Sequence, residues 1–144
     1  MFLPQRILPI FFIGFCLLAT LNIVLQVSAN SNISMSNSEA TVNDTNNNGQ
    51  IILEKDSVLI VKLLATPGTG YSWQMIKNDP DKLKPLGDSV LEPLTDQAPG
   101  ASENQVFRFS AQSSGSTVLE LHYLRPWEKN IPPLKTYQIN VQIR

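Results

Sequence analysis

Cysteine and histidine are nearly absent from this 144-residue chain, which has one of each, Cys16 and His122. Zinc and copper sites therefore have almost no ligands to draw on, and a thiol nucleophile paired with histidine is out of reach. No Gly-x-Ser-x-Gly elbow occurs, and His122 falls mid-strand on a polar face, where a serine–histidine–acid triad could not use it. The acidic residues Asp79, Asp81, Asp88, Glu92 and Asp96 are too dispersed for a calcium loop. Gly68 and Gly70 lack the lysine and following helix of a phosphate cradle. The net charge of −1 offers no basic stripe for nucleic acid or anionic lipid. No catalytic residue, metal or cofactor is expected, so the chain reads as a binding module rather than an enzyme.

Long helical periodicity is missing too, because ten prolines punctuate the chain. The long apolar run, Ile7 to Val27, follows the lone charge Arg6 and ends in Val27-Ser28-Ala29, the small-residue pattern of a signal-peptidase site. Residues 1–29 therefore read as a signal peptide. The expected product is exported, secreted or periplasmic, with no membrane association once the leader is cut. Cleavage removes Cys16, so the mature domain has to stand on its core without a disulfide. Residues 30–48, rich in Ser, Asn and Thr, read as a flexible tether. They contain two glycosylation-type triplets, at Asn32 and Asn43.

From residue 49 to 144 a two-residue period takes over. Leu59, Val61 and Leu63 share one face of a strand, as do Tyr71, Trp73 and Met75 of the next. Phe107, Phe109 and Ala111 form a third such set, and Leu119, Leu121 and Tyr123 a fourth. The last strand sets Tyr137, Ile139, Val141 and Ile143 against Gln138, Asn140 and Gln142. Gln50–Glu54 and a weak Ser89–Leu94 complete about seven strands. The fold class expected is all-β, an immunoglobulin-like antiparallel β-sandwich. Strand parity then places Thr66–Gly70, Ala98–Asn104 and Leu124–Pro133 at one end, provided that no extra strand hides within Asn78–Gly87.

Those three segments have the chemistry of contact loops. Thr66-Pro67-Gly68-Thr69-Gly70-Tyr71 combines a fixed proline with glycines suited to positive φ, and carries no charge. Pro99-Gly100-Ala101-Ser102 is small enough for close backbone approach. Arg125-Pro126-Trp127 offers a planar cation and a large aromatic, residue types enriched in binding hot spots.

In this order the segments resemble the chagasin family of cysteine-protease inhibitors. Thr66–Tyr71, followed by Trp73, is similar to the family's Asn-Pro-Thr-Thr-Gly-Tyr/Phe loop, and Arg125-Pro126-Trp127 to its Arg-Pro-Trp/Phe loop. Ala98 to Glu103 falls where the family has a Gly-x-Gly-Gly loop. Thr66 replaces the family asparagine, and Gly68 replaces the threonine that comes nearest the catalytic cysteine. The resemblance implies a monomeric, reversible inhibitor of papain-like cysteine proteases. Thr66–Tyr71 would enter at the catalytic cysteine, Ala98–Glu103 would lie along the non-primed side, and Trp127 would stack on the primed side with Arg125 orienting it. An immunoglobulin-like module that binds another protein or a glycan through the same end is the alternative.

Overall fold

A computed structural model describes residues 38–95, 98 and 100–144. The leader, Cys16, Asn32 and Pro99 lie outside the described residues. Two sheets pack face to face, with nine strands among the described residues: β1 (Glu39–Asn43), β2 (Gly49–Leu53), β3 (Val58–Ala65), β4 (Ser72–Lys77), β5 (Leu83–Pro85), β6 (Val90–Pro93), β7 (Glu103–Ala111), β8 (Gly115–Leu124) and β9 (Lys135–Ile143). One sheet runs β1-β3-β7, with β5 and β6 both on the far side of β7; the other runs β2-β9-β8-β4.

The alternating apolar positions meet between the sheets. Leu59, Val61 and Leu63 pack with Phe109, Ala111, Leu119, Leu121, Tyr137, Ile139, Val141 and Ile143, all buried. Each large aliphatic buried this way contributes about 2 kcal/mol against exposure. β3 also buries Ile60 on its other face, near the buried Val106 of β7. This central strand accordingly reads as a continuous apolar run rather than a clean alternation.

No disulfide spans the sheets, and the Gln105 amide of β7 makes an inter-sheet link. Its Oε1 accepts from Trp73 N–H (2.8 Å), and its Nε2 donates to Trp73 C=O (3.0 Å) and to Ser89 Oγ (2.9 Å). The Trp73 side chain is buried, and its Nε1–H donates to the Leu64 carbonyl of the opposite sheet (3.0 Å).

Four expectations need correction. Among the described residues the first strand starts at Glu39, ten residues before the expected domain start at Gly49. β1 pairs parallel with β3, and its Val42 is buried in the core, while Asn43 and Asn46 cap a turn of 3-10 helix over Asp44–Asn46. A segment anchored by paired backbone and one core side chain is not a tether over residues 39–48. The sandwich is also not wholly antiparallel. The chain crosses from one sheet to the other after Asn43, so β2 runs parallel to β9 just as β1 runs parallel to β3.

The third correction concerns Met75, expected inward but 43% exposed: it pairs in register with Leu121 on the edge strand β4, and the register slips just beyond it, between Met75 and Lys77. Such a bulge turns the following side chains out of phase. The fourth is the strand count, nine rather than seven. β5 and β6 both run antiparallel to β7, at Leu83–Pro85 and Val90–Pro93, so they form one edge strand interrupted by Leu86–Ser89. The extra strand therefore leaves the parity of the loops intact.

The Tyr137 hydroxyl is buried with no hydrogen-bond partner. Burial, followed by the nearby Asp44 charge, pushes its pKa up to about 12. A folded pKa above the ordinary value of 10 means that ionisation opposes folding. This contribution is intact below pH 10 and lost as pH rises towards 12. Tyr137→Phe removes the orphan hydroxyl. It should raise neutral-pH stability by about 1 kcal/mol and soften the alkaline loss above pH 10, both read from urea unfolding.

Candidate functional site

The direction of the strands brings three loops to one end. β3 ends there and β4 begins there, β6 ends and β7 begins, and β8 ends and β9 begins: Ala65 pairs Glu103, Pro93 pairs Glu103, Ser72 pairs Leu124 and Tyr123 pairs Lys135.

The middle loop is a single turn of 3-10 helix, Pro67–Thr69, with proline at its first position. Thr69 N–H donates to Thr66 O (3.1 Å) and Gly70 N–H to Pro67 O (2.9 Å), while the Thr69 hydroxyl donates to Thr66 O (2.6 Å). Gly70 closes the turn at φ 78°, ψ −2°, the left-handed conformation that favours glycine. Gly68 is not among the positive-φ residues, contrary to the sequence expectation, and a Cβ there would meet open space.

Each side of this turn is tied to a neighbour. Thr66 Oγ1 lies 3.0 Å from Ser102 Oγ, which joins the turn to the β6–β7 loop. Thr66 N–H donates to the Tyr123 hydroxyl (2.9 Å). Arg125 Nε–H donates to Thr69 O (3.1 Å), and its guanidinium lies 4.5 Å over the Tyr71 ring. Its Nη1 pairs with Glu128 Oε1 at 3.1 Å, and Glu128 N–H closes a turn on Arg125 O (3.0 Å). Tyr71, Tyr123 and Trp73 form an aromatic column, with ring centroids 5.4 and 5.1 Å apart. Such contacts hold ring orientation as well as burying area.

Trp127 crowns the end and is 65% exposed. It stands against Gly70, where a Cβ would come within 2.5 Å of Trp127 Cη2. Glycine at position 70 thus serves both the backbone conformation and the seat of the indole. In the β6–β7 loop Gly100 is exposed at φ 85°, and Ala101 N–H donates to Ala98 O (3.1 Å). Thr66, Gly70, Tyr71, Ser102, Arg125 and Trp127 therefore share one connected surface. Pro67, Gly68, Thr69, Gly100, Ala101 and Pro126 lie on its loops.

The sequence reading missed a fourth segment at this end, the crossover between β1 and β2. Asp44 Oδ2 accepts from Leu64 N–H (3.2 Å), Asn47 Nδ2 donates to Thr136 O (3.1 Å), and Asn47 Oδ1 accepts from Gln138 N–H (2.8 Å). The Asn43-x-x-Asn46 capping pattern was its only local signal. His122 lies outside the loop end, with Nε2 2.6 Å from Glu120 Oε1 on the same strand.

The family model described as Chagasin family peptidase inhibitor I42 matches residues 52–141. The chain is 29% identical over 90 residues to Amoebiasin-2 of Entamoeba histolytica, across 62% of this chain and 72% of that protein. The crystal structure of the cysteine protease inhibitor EhICP2 from Entamoeba histolytica superposes with a TM-score of 0.63. That match covers 74% of this chain and 95% of the other at 21% identity, a likeness of fold. The solution structure of Amebosin gives a TM-score of 0.53 at 26% identity, over 72% of this chain and 96% of that one.

Gly70→Ala should cost about 1–2 kcal/mol and displace Trp127, whereas Gly68→Ala should be close to neutral. Thermal unfolding reads the first effect. The indole N–H resonances read the second, with Trp127 shifting and the buried Trp73 unmoved.

Proposed function

The chain belongs to the chagasin family of peptidase inhibitors, family I42, and from that membership we propose that it is a reversible inhibitor of papain-like cysteine peptidases that plugs the active-site cleft with its loop end. The observation that carries this reading is the rigid, uncharged turn Thr66–Gly70, held between the β6–β7 and β8–β9 loops by Ser102, Tyr123 and Arg125. The turn supplies no nucleophile and no acid–base pair. It can fill a cleft and withhold a scissile bond, because internal hydrogen bonds keep it in a 3-10 turn instead of the extended form a protease cleaves.

Thr69 and the backbone at Gly68 stand at the tip, both exposed, and would face the catalytic cysteine. Gly100, Ala101 and Ser102 would run along one side of the cleft, together with Pro99. Trp127 would lie on aromatic surface at the other side, fixed by Pro126 and by Arg125 behind it. The pre-set turn lowers the ordering cost of binding, which favours a slow off-rate. EhICP2, whose fold this chain shares, is a cysteine protease inhibitor, which supports the target class. Export of the domain is part of the proposal, and rests on the apolar run Ile7–Val27 and on Val27-Ser28-Ala29. No helix among the described residues is long and apolar enough to cross a membrane.

Titration of the domain against papain, under mildly acidic reducing conditions, should remove activity reversibly at one inhibitor per enzyme. Failure with excess domain across several papain-like enzymes would defeat the proposal. Trp127→Ala should weaken inhibition at least tenfold, about 1.4 kcal/mol, without lowering the melting temperature, since the indole is exposed. Gly68→Thr fits the open space at that tip and should tighten inhibition by about fivefold, roughly 1 kcal/mol.

A further inference from the structure

Beside the three loops lies a groove of about 320 Å³. Tyr71 and Tyr123 line it, and so do Thr66, Thr69 and Arg125 of the loops already described. Its other lining residues are Leu64 at the end of β3, and Leu134 and Lys135 where β9 begins. On the Leu64 side it adjoins the β1–β2 crossover through the Asp44 bond to Leu64 N–H. Leu134 is 61% exposed and Leu64 38% exposed, an open apolar pair.

Lys135 has no ion-pair partner at this groove among the described residues, and its Nζ stands 5.7 Å over the Tyr123 ring. Of the carboxylates on the neighbouring segments, Glu128 is paired with Arg125, while Asp44 is hydrogen-bonded to Leu64 N–H and keeps its charge beyond ion-pair distance of Lys135. Lys135 thus offers an exposed ammonium without an ion-pair partner in a groove also lined by Leu64 and Leu134. A partner's charge docking there is partly desolvated and less screened than at an open surface.

We infer that this groove is a fourth contact element of the inhibitory end, and that its occupant is an acidic side chain on the rim of the bound peptidase, seated against Leu64 and Leu134 and paired with Lys135. The inference rests on the proposed inhibitory reading, since the groove shares Thr66, Thr69, Tyr71 and Arg125 with the loops that would enter the cleft. Sharing those residues, it is brought against the enzyme surface whenever they are. The carboxylate class follows from the unpaired cation; the apolar pair selects a side chain with a methylene stem over a free ion.

The test measures association and dissociation rates of the domain with a panel of papain-like peptidases, for the parent chain and for Lys135→Gln, Lys135→Glu and Leu134→Ser. Both positions are exposed, so melting temperatures should hold. Against at least one inhibited enzyme, Lys135→Glu should slow association about tenfold at low salt, with the gap narrowing as salt is added. Lys135→Gln should fall between, and Leu134→Ser should speed dissociation severalfold. Rates within twofold of the parent for all variants and all inhibited enzymes would overturn the inference and leave the inhibitory reading standing. Loss with Leu134→Ser but not with either Lys135 variant would reject the acidic occupant. A parent chain that inhibits no enzyme of the panel would remove the proposed function itself, and the groove's role with it.

Discussion

Tyr123 holds the functional end together. It leaves β8 with its ring between Tyr71 and Trp73, and its hydroxyl accepts the backbone N–H of Thr66 at 2.9 Å. Thr66 is where β3 of the other sheet runs out and the exposed turn begins. A side chain from one sheet thus fixes the first residue of a loop launched from the other, while Tyr71, which follows the turn, packs against its ring. Arg125, two residues beyond Tyr123, then caps Thr69 O and covers Tyr71. The turn has little freedom left, which is what the proposed entry into a cleft without being bound as a substrate requires.

Gln105 does for the body of the sandwich what a disulfide does in many exported domains of this shape. Its amide joins both backbone groups of Trp73, and it does so from the strand facing them. Buried amide bonds of this kind are costly to leave half-made, so they select one register as well as adding stability. Among the described residues there is no thiol. A partner whose active-site cysteine is reactive finds no disulfide here with which to exchange.

The strands β3, β7, β8 and β9 were legible because each carries an inward set such as Tyr137, Ile139, Val141 and Ile143, which the sheets bury as expected. The shared end of the three loops was legible from strand direction, and the interrupted β5–β6 edge did not disturb it. β1 was not legible: a strand with only Ala40 and Val42 to bury hides within a Ser/Asn-rich stretch, and its pairing with β3 is a tertiary fact. Met75 was misplaced because it keeps the inward phase yet lies on an edge strand, where alternation alone does not report how far the sheets cover a side chain. Within the site, the motif residues were visible but their mutual contacts were not. Nothing local to Gly70 announces that Trp127 fills the space where a side chain would be.

The most direct measurement compares the parent chain with Tyr123→Phe in inhibition of papain, with unfolding followed on the same samples. Loss of the acceptor for Thr66 N–H should cost about 1 kcal/mol of stability, leaving the domain folded. Inhibition should weaken about tenfold, chiefly through faster dissociation, because the turn is no longer held in the blocking shape. A Tyr123→Phe variant that inhibits as tightly as the parent would contradict the claim that this one hydroxyl sets the inhibitory end.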